Sequence, residues 1–578
     1  MFSPVDPHIL YLASNVLFKT TDGGNSWQII SPDLTRQDPG VPPNLGVFVE
    51  SDSAKGKHRG VIYSLAPSPK DVNLMWAGTD DGLIHVTRDG GTNWANVTPP
   101  ELTPWSKIAQ MDASHFDIAT VYAAVNRFRL DNLHPYIYRT HDSGKTWQKI
   151  VNGIPDNEPA NTVREDPERK GLLFAGTERT VYVSFDDGDH WQSLRLNLPA
   201  TSIRDLVVHQ DDIVVGTHGR SFWILDNITP LRQMDAKVAA SDAYLFAPQL
   251  TYRVRRNNNT DTPLPPEEPG GQNPPDGAML DYVLKSAAIG PVTIEISDES
   301  GKLVHRFSST DKPEPMNEKE LNIPTYWIRP ARVLSTRPGM HRFVWDLHYP
   351  PPDSLEHEYP ISAIYHDTPR TPLGPTVMPG KYSVKLTVNG TTYTQPLMIK
   401  MDPRVMTTQG GLRQQFELET KINEAMRRDY ETLQQVRSLR RQLKNLIEKV
   451  RQGQLKETVS ALESKAAELE GNEGGYGRTF LSTAGGRSLA RLNAGLNTLL
   501  AAVDSADAAP TTQAVSTFSD LNNALDQQLA RWDVIKSKDV PELNLKLKRF
   551  GLPRLNPELV TAAGDLSSNH NRAGDDEP

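Results

Sequence analysis

Charged side chains gather in four short segments, each lying between two apolar runs. These are Thr79-Asp80-Asp81-Gly82, the stretch Asn126 to Pro135 with Arg127, Arg129, Asp131 and His134, then Thr177-Glu178-Arg179-Thr180 and Thr217-His218-Gly219-Arg220. Two carboxyls at one site can serve as acid and base, or acid and nucleophile, across a glycosidic bond. That chemistry needs them roughly 5 Å apart for retention or about 6.5 to 9.5 Å apart for inversion. Asp80, Asp81, Asp131 and Glu178 are the eligible acids. Three of the four segments also carry arginine, and binding groups gather on loops at one end of a rigid scaffold, so the same residues suit a site that holds a ligand without breaking a bond. The stretch Ser31 to Gly60, ending Lys57-His58-Arg59, is expected to reach the same end. Asn126 to Pro135 is longer than a tight connection requires, and its arginines and aspartate could equally pair with one another or simply solvate an exposed turn.

A second set of carboxylates recurs with a fixed context: Thr20 to Trp27, Thr87 to Trp94, Thr140 to Trp147 and Ser184 to Trp191 all follow S/T-x-D-x-G-x-x-W. Asp22, Asp89, Asp142 and Asp186 are read as structural, because a carboxylate can accept backbone N–H bonds inside a tight turn whose glycine adopts a conformation other residues reach with strain. Trp27, Trp94, Trp147 and Trp191 then anchor the turns. Asp112, His115 and Asp117 precede an apolar run and should fall at the same end as these turns. His348, His357 and His366, with Asp353, Glu356, Glu358 and Asp367, match no metal-ligand spacing and read as solvated loop residues, so neither a metal nor another cofactor is expected.

The elements that must position these groups are short strands. Leu74–Gly78, Leu83–Thr87, Val121–Val125, Tyr136–Thr140, Leu172–Gly176 and Val181–Ser184 flank the turns. The repeated aspartates stand 67, 53 and 44 residues apart (22, 89, 142, 186), which fits one four-stranded blade of a β-propeller per repeat. Ile203–Val208, Ile213–Gly216 and Ser221–Leu225 form a fifth unit in which Asp226-Asn227-Ile228-Thr229 replaces the turn. Ser3-Pro4-Val5-Asp6-Pro7 parallels segments that follow the first strand of later units, so the first unit lacks that strand. An inner edge left open is a liability, which implies a parent chain with more blades upstream; a five-bladed ring closed by later residues is the other reading. Because strands alternate in direction, the polar segments belong at the end of the sheets opposite the tryptophan turns.

The expected fold is mainly β with a C-terminal α region. Residues 1–256 form the propeller segment and 257–277, rich in Asn, Pro, Glu and Gly, a linker. An antiparallel immunoglobulin- or fibronectin-like sandwich occupies 278–403, with a hairpin signal at Asn389-Gly390. From about Thr407 the apolar period changes to 3.6, giving an antiparallel four-helix bundle over 404–555 and a disordered tail over 556–578. With 62 basic against 71 acidic residues and a net charge of −9, nucleic acid is not an expected partner. The chain has no cysteine, no apolar run near the ~20 residues that span a bilayer, and no signal peptide in its first fifteen residues, so membrane insertion is not expected.

The four turns resemble the Asp-box, or BNR, repeat. Together with Thr217 to Asp226 and the start of the sandwich, they resemble large bacterial BNR-repeat proteins often called glycosyl hydrolases, over nearly the whole chain. The propeller also looks like the sortilin N-terminal (Vps10-type) domain, a ligand-binding propeller. The resemblance implies a secreted or periplasmic protein that binds a glycan or peptide on the loop face opposite the boxes. The alternative it implies is a glycoside hydrolase using a loop carboxylate pair. Neither the arginine triad and tyrosine of sialidases nor the catalytic aspartates of xyloglucanase-type propellers map onto positions of this sequence.

Overall fold

A computed structural model describes residues 1–42, 60–255, 271–313, 318–355, 357–360, 364–450, 453–471 and 487–558, with a few isolated positions between. The chain divides into two compact units, Met1–Ala239 and Ala240–Pro578.

The first unit is a series of antiparallel sheets. The first is β1 (Leu10–Ala13), β2 (Leu17–Thr20) and β3 (Gln28–Ile29). Three four-stranded sheets follow. They comprise β4 (Ile62–Pro67), β5 (Met75–Thr79), β6 (Ile84–Thr87) and β7 (Ala95–Asn96); β8 (Lys107–Ala113), β9 (Val121–Asn126), β10 (Tyr136–Thr140) and β11 (Gln148–Lys149); and β12 (Ala160–Glu165), β13 (Leu173–Thr177), β14 (Val181–Ser184) and β15 (Gln192–Ser193). The last has β16 (Ile203–His209), β17 (Asp212–Thr217) and β18 (Phe222–Leu225), and the short helices α1 (Thr229–Gln233) and α2 (Ala236–Ala240) come after it. The opening strands β4, β8, β12 and β16 lie against one another, as the inner strands of propeller blades do. Apolar clusters fill the space between successive sheets. With neighbours on both faces, β5, β9 and β13 are buried at every residue, which is why they read as continuous apolar runs.

The second unit joins a sandwich to a bundle. One sheet is β19 (Ala243–Leu245), β21 (Ala278–Leu284) and β24 (Gly339–Trp345). The other runs β20 (Thr251–Arg253), β26 (Thr391–Met401), β25 (Gly380–Val388), β22 (Thr293–Asp298) and β23 (Leu303–Ser308). Two expectations are corrected. β19 and β20 place the start of the sandwich before residue 256, so the stretch 257–277 connects two sandwich strands; much of it lies outside the described residues. The β20–β26 pairing is parallel, within an otherwise antiparallel sandwich. Strands of three residues are too short to show a period, and their partners stand far away in sequence.

The bundle consists of α3 (Gln409–Lys449), α4 (Gln454–Glu470), α5 (Leu489–Val503), α6 (Thr512–Val534) and α7 (Val540–Arg549). Thr408 and Thr511 cap α3 and α6 through bonds from Gly411 N and Ala514 N. α7 follows α6 through a π-turn and adds Leu543 and Leu547 to the core, a fifth element that the sequence reading missed. The basic residues of α3 pair with acids: Arg437 and Arg440 reach Glu470, and Arg440 also reaches Glu463. Most of the tail beyond 556 lies outside the described residues. Among the described residues no helix is long and apolar enough to cross a membrane.

Candidate functional site

In each tryptophan turn the aspartate is consumed by its own backbone. Asp142 Oδ1 accepts from Thr146 N at 2.9 Å and Thr140 Oγ1 at 2.8 Å, and Asp22, Asp89 and Asp186 repeat the pattern. Hydrogen bonds from Ser26 and Thr146 hold the Asp22 and Asp142 carboxyls down at about 2. The indoles tie sheet to sheet: Trp94 Nε1 donates to Ile30 O at 3.0 Å, Trp147 to Val97 O at 2.7 Å and Trp191 to Ile150 O at 2.9 Å. These groups build the array and offer no reacting carboxylate.

The polar segments lie at the other end of the sheets, as the β5–β6, β9–β10, β13–β14 and β17–β18 pairings require. Three of the four eligible acids, Asp80, Asp81 and Glu178, are hydrogen-bonded within the protein. Asp81 is fully buried, accepts from Thr79 Oγ1 at 2.5 Å and from Arg36 N at 2.7 Å, and burial raises its carboxyl above the ordinary range. Asp80 accepts from Val61 N at 2.8 Å and pairs with Arg129 at 2.9 Å, while that guanidinium stands over Trp105. Arg127 bonds Thr103 and Tyr136. Asp131, at positive φ, ends a helical turn at Phe128–Leu130 and is exposed, as is His134, which stands 3.6 Å from Asp156. Arg179, His218 and Arg220 are exposed and donate through backbone N–H groups only to Thr177, Ser202 and Thr217 respectively. Arg59 lies outside the described residues.

A feature absent from the sequence reading organises this end. Each opening strand carries a one-residue register shift near its start, at Tyr63 in β4, Ala109 in β8, Asn161 in β12 and Arg204 in β16. Bulges re-aim side chains next to sites. Asn126 Nδ2 donates to Asn161 Oδ1 at 2.7 Å, Asn161 Nδ2 to Glu178 Oε1 at 2.9 Å, and Arg204 pairs with the same Glu178 oxygen at 3.2 Å. Lys107 Nζ sits 3.4 Å from the centre of the exposed Tyr63 ring. The result is a polar ladder from β9 to β16 with an aromatic platform at β4. The bulge is a matter of register between strands, so no residue type announces it.

Asp112, His115 and Asp117 join a network near the turn end: Arg164 pairs with Asp112, Ser114 Oγ donates to Glu165 Oε2 at 2.6 Å, and Tyr122 donates to Asp187 Oδ1 at 2.5 Å. Arg139 binds Asp187 and Asp189, so this group is a hydrogen-bonded and ion-paired link between sheets. In the second unit His348 bonds Asp346 O and Thr376, His366 stacks on Tyr365, and Glu356 is outside the described residues. Among the described residues no three His, Asp or Glu side chains converge to hold a metal. A cavity of about 950 Å³ in the second unit, lined by Arg253, Arg329, His348 and Asp507 among others, lies between sandwich and bundle.

No protein-family model matches the chain, and no curated protein matches it. Solved structures match the chain only distantly. A GH74 xyloglucanase from Xanthomonas campestris matches with 17% identity and a TM-score of 0.30, over 39% of this chain and 36% of its own. An ancestral GH74 enzyme matches with 14% identity and a TM-score of 0.28, over 68% of this chain and 45% of its own. YCF48 bound to D1 peptide gives 14% identity and a TM-score of 0.18, over 38% of this chain and 91% of its own. The chain thus spans about a third of the length of the first of these structures.

Proposed function

We propose that the first unit is a noncatalytic binding propeller that holds a glycan or a peptide at the loop end opposite the tryptophan turns. In this reading the chain is a BNR-type, sortilin-like propeller protein acting outside the cytoplasm. One observation carries it: at that end the carboxyls of Asp80, Asp81 and Glu178 are already hydrogen-bonded within the protein, whereas Tyr63, Arg179, Arg204 and Arg220 are exposed. An exposed ring with a cation and a row of amide and guanidinium donors suits a hydroxyl- or carbonyl-rich ligand.

Binding of a panel of neutral and acidic oligosaccharides and of extended peptides, followed calorimetrically, tests this. Tyr63→Ala and Arg204→Ala are expected to weaken the bound ligand by about tenfold each, a loss of about 1.4 kcal/mol, without altering the fold. No ligand should be turned over. Release of reducing ends that is abolished by Glu178→Gln or Asp131→Asn replaces binding with hydrolysis as the function.

A further inference from the structure

The cavity of the second unit is walled by charged groups that already pair with one another. On its bundle side Arg253 Nη2 donates to Asp507 Oδ1 at 2.5 Å, and Arg255 Nη2 to Asp504 Oδ1 at 2.9 Å. On its sandwich side Arg329 Nε donates to Asp367 Oδ1 at 2.8 Å, and the same guanidinium stands 3.5 Å from Asp346 and 3.9 Å from Asp276. Arg332 adds a second cation 3.9 Å from Asp367. Burial opposes a charge on His348, yet the Asp346 carboxylate, 3.7 Å from its Nδ1, lifts the imidazole above its ordinary range. The guanidinium groups of Arg253, Arg255, Arg329 and Arg332, with His348, thus face the carboxylates of Asp276, Asp346, Asp367, Asp504 and Asp507, and the wall carries no large net charge.

Hydrogen-bonding capacity is left over beside these pairs. The side chains of Arg253 and Asp507 are only 5% and 4% exposed, and among the described residues Arg253 Nε and Asp507 Oδ2 have no hydrogen-bond partner. Arg255 Nε is unpaired in the same way. Buried donors and acceptors left unmatched cost free energy, so an arrangement of this kind calls for a partner. The carboxylates of Asp276, Asp346 and Asp504 are partly exposed and can accept further bonds. Leu347, Ile364, Leu373, Val405 and Leu500 supply the apolar remainder of the wall.

We propose that this cavity binds a neutral, hydroxyl-rich small molecule of mono- or disaccharide size. A hydroxyl both donates and accepts, so neighbouring hydroxyls match a wall on which carboxylate oxygens and guanidinium N–H groups stand side by side. An ion of either sign would have to break an existing pair or stay unmatched where desolvation is costly. Among the described residues no three His, Asp or Glu side chains converge to hold a metal. The apolar part of the wall suits the C–H face of a sugar ring, and the volume of about 950 Å³ is that of a small-molecule site. The site shares no residue with the loop end of the first unit and stands or falls independently of a ligand there.

Titration calorimetry of the full chain with glucose, galactose, mannose, xylose, maltose and cellobiose tests it, with putrescine and glutamate as charged probes. At least one of the neutral sugars is expected to bind with a Kd of about 1 mM or below. Ala501 is exposed on α5 and lines the cavity, so Ala501→Trp should fill part of it and weaken that sugar by about tenfold or more, with unchanged circular dichroism and melting. Asp276→Asn keeps the shape of the wall and removes a charged acceptor; a loss of about tenfold is expected, and this variant decides the matter if the tryptophan variant fails to fold. Tyr63→Ala should leave the affinity unchanged. No binding of any of these sugars, or binding of putrescine or glutamate alone, overturns the proposal. Sugar binding that survives both cavity variants overturns it as well, and if that binding is lost in Tyr63→Ala the sugar belongs to the loop end of the first unit.

Discussion

Asp429 on α3 is completely buried, and burial lifts its carboxyl from the ordinary 3.8 to about 8. The folded chain therefore keeps this proton up to about pH 8, while the unfolded chain releases it near 4. Between those values the folded state binds more protons, so stability falls as pH rises through that window. Asp429→Asn removes the titration and is expected to stabilise the protein by ~2 kcal/mol or more at pH 8, with the gain vanishing towards pH 4. Urea unfolding at several pH values measures it; a gain that is equal at pH 4 and pH 8 contradicts the assignment. Asp81 shows the other side of burial. Its sequence context, two aspartates before a glycine, has the look of an exposed acidic turn. Its partner Arg36 stands 45 residues away in a connection with no strand pattern, so nothing local told that the carboxyl was engaged. Glu178 stands out in the sequence as a charged residue in a short connection, whereas its partners Asn161 and Arg204 do not, because a bulge and not a motif brings them to it.

At the scale of elements, two glycines make a sharp comparison. Gly78 and Gly216 occupy the same register in sheets of one design, yet only the first is packed against a neighbour. Gly78→Ala forces its Cβ into Ile108 and should cost about 1–3 kcal/mol. Gly216→Ala should be neutral or stabilising by about 0.5 kcal/mol, since glycine within a strand is entropically unfavourable. Thermal melts of the two variants decide it, and equal losses would contradict the difference in packing between the two positions. The strands and the tryptophan turns were readable because each has a local signature: the continuous apolar runs of β5, β9 and β13, and the aspartate four residues before its bonded backbone N–H. β19, β20 and α7 were not, since three-residue strands carry no period and a π-turn leaves the helical pattern of α6 without a visible stop.

At the scale of the molecule, the second unit behaves as one body because its two layers share buried charge. Arg253, at the end of β20, donates to Asp507 Oδ1 at 2.5 Å and to Val377 O, and both members of the ion pair are almost wholly buried. Arg255 adds a bond to Asp504, and Gln415 on α3 donates to Val503 O and Ala506 O, so the loop after α5 is pinned from the sandwich and from the bundle together. Removing one partner of a buried pair leaves the other charge desolvated and unmatched, which costs about 3–5 kcal/mol, whereas replacing both with apolar groups of similar volume can be close to neutral. Asp507→Ala is therefore expected to lower the melting of sandwich and bundle as a single step and to leave the transition of the first unit where it was. Arg253→Met combined with Asp507→Leu should recover most of the loss. Differential scanning calorimetry of the full chain resolves the two outcomes: if Asp507→Ala splits sandwich from bundle into separate transitions, the pair couples two independently stable layers, and if the double variant is no better than the single one, the charge is needed for more than its own neutralisation.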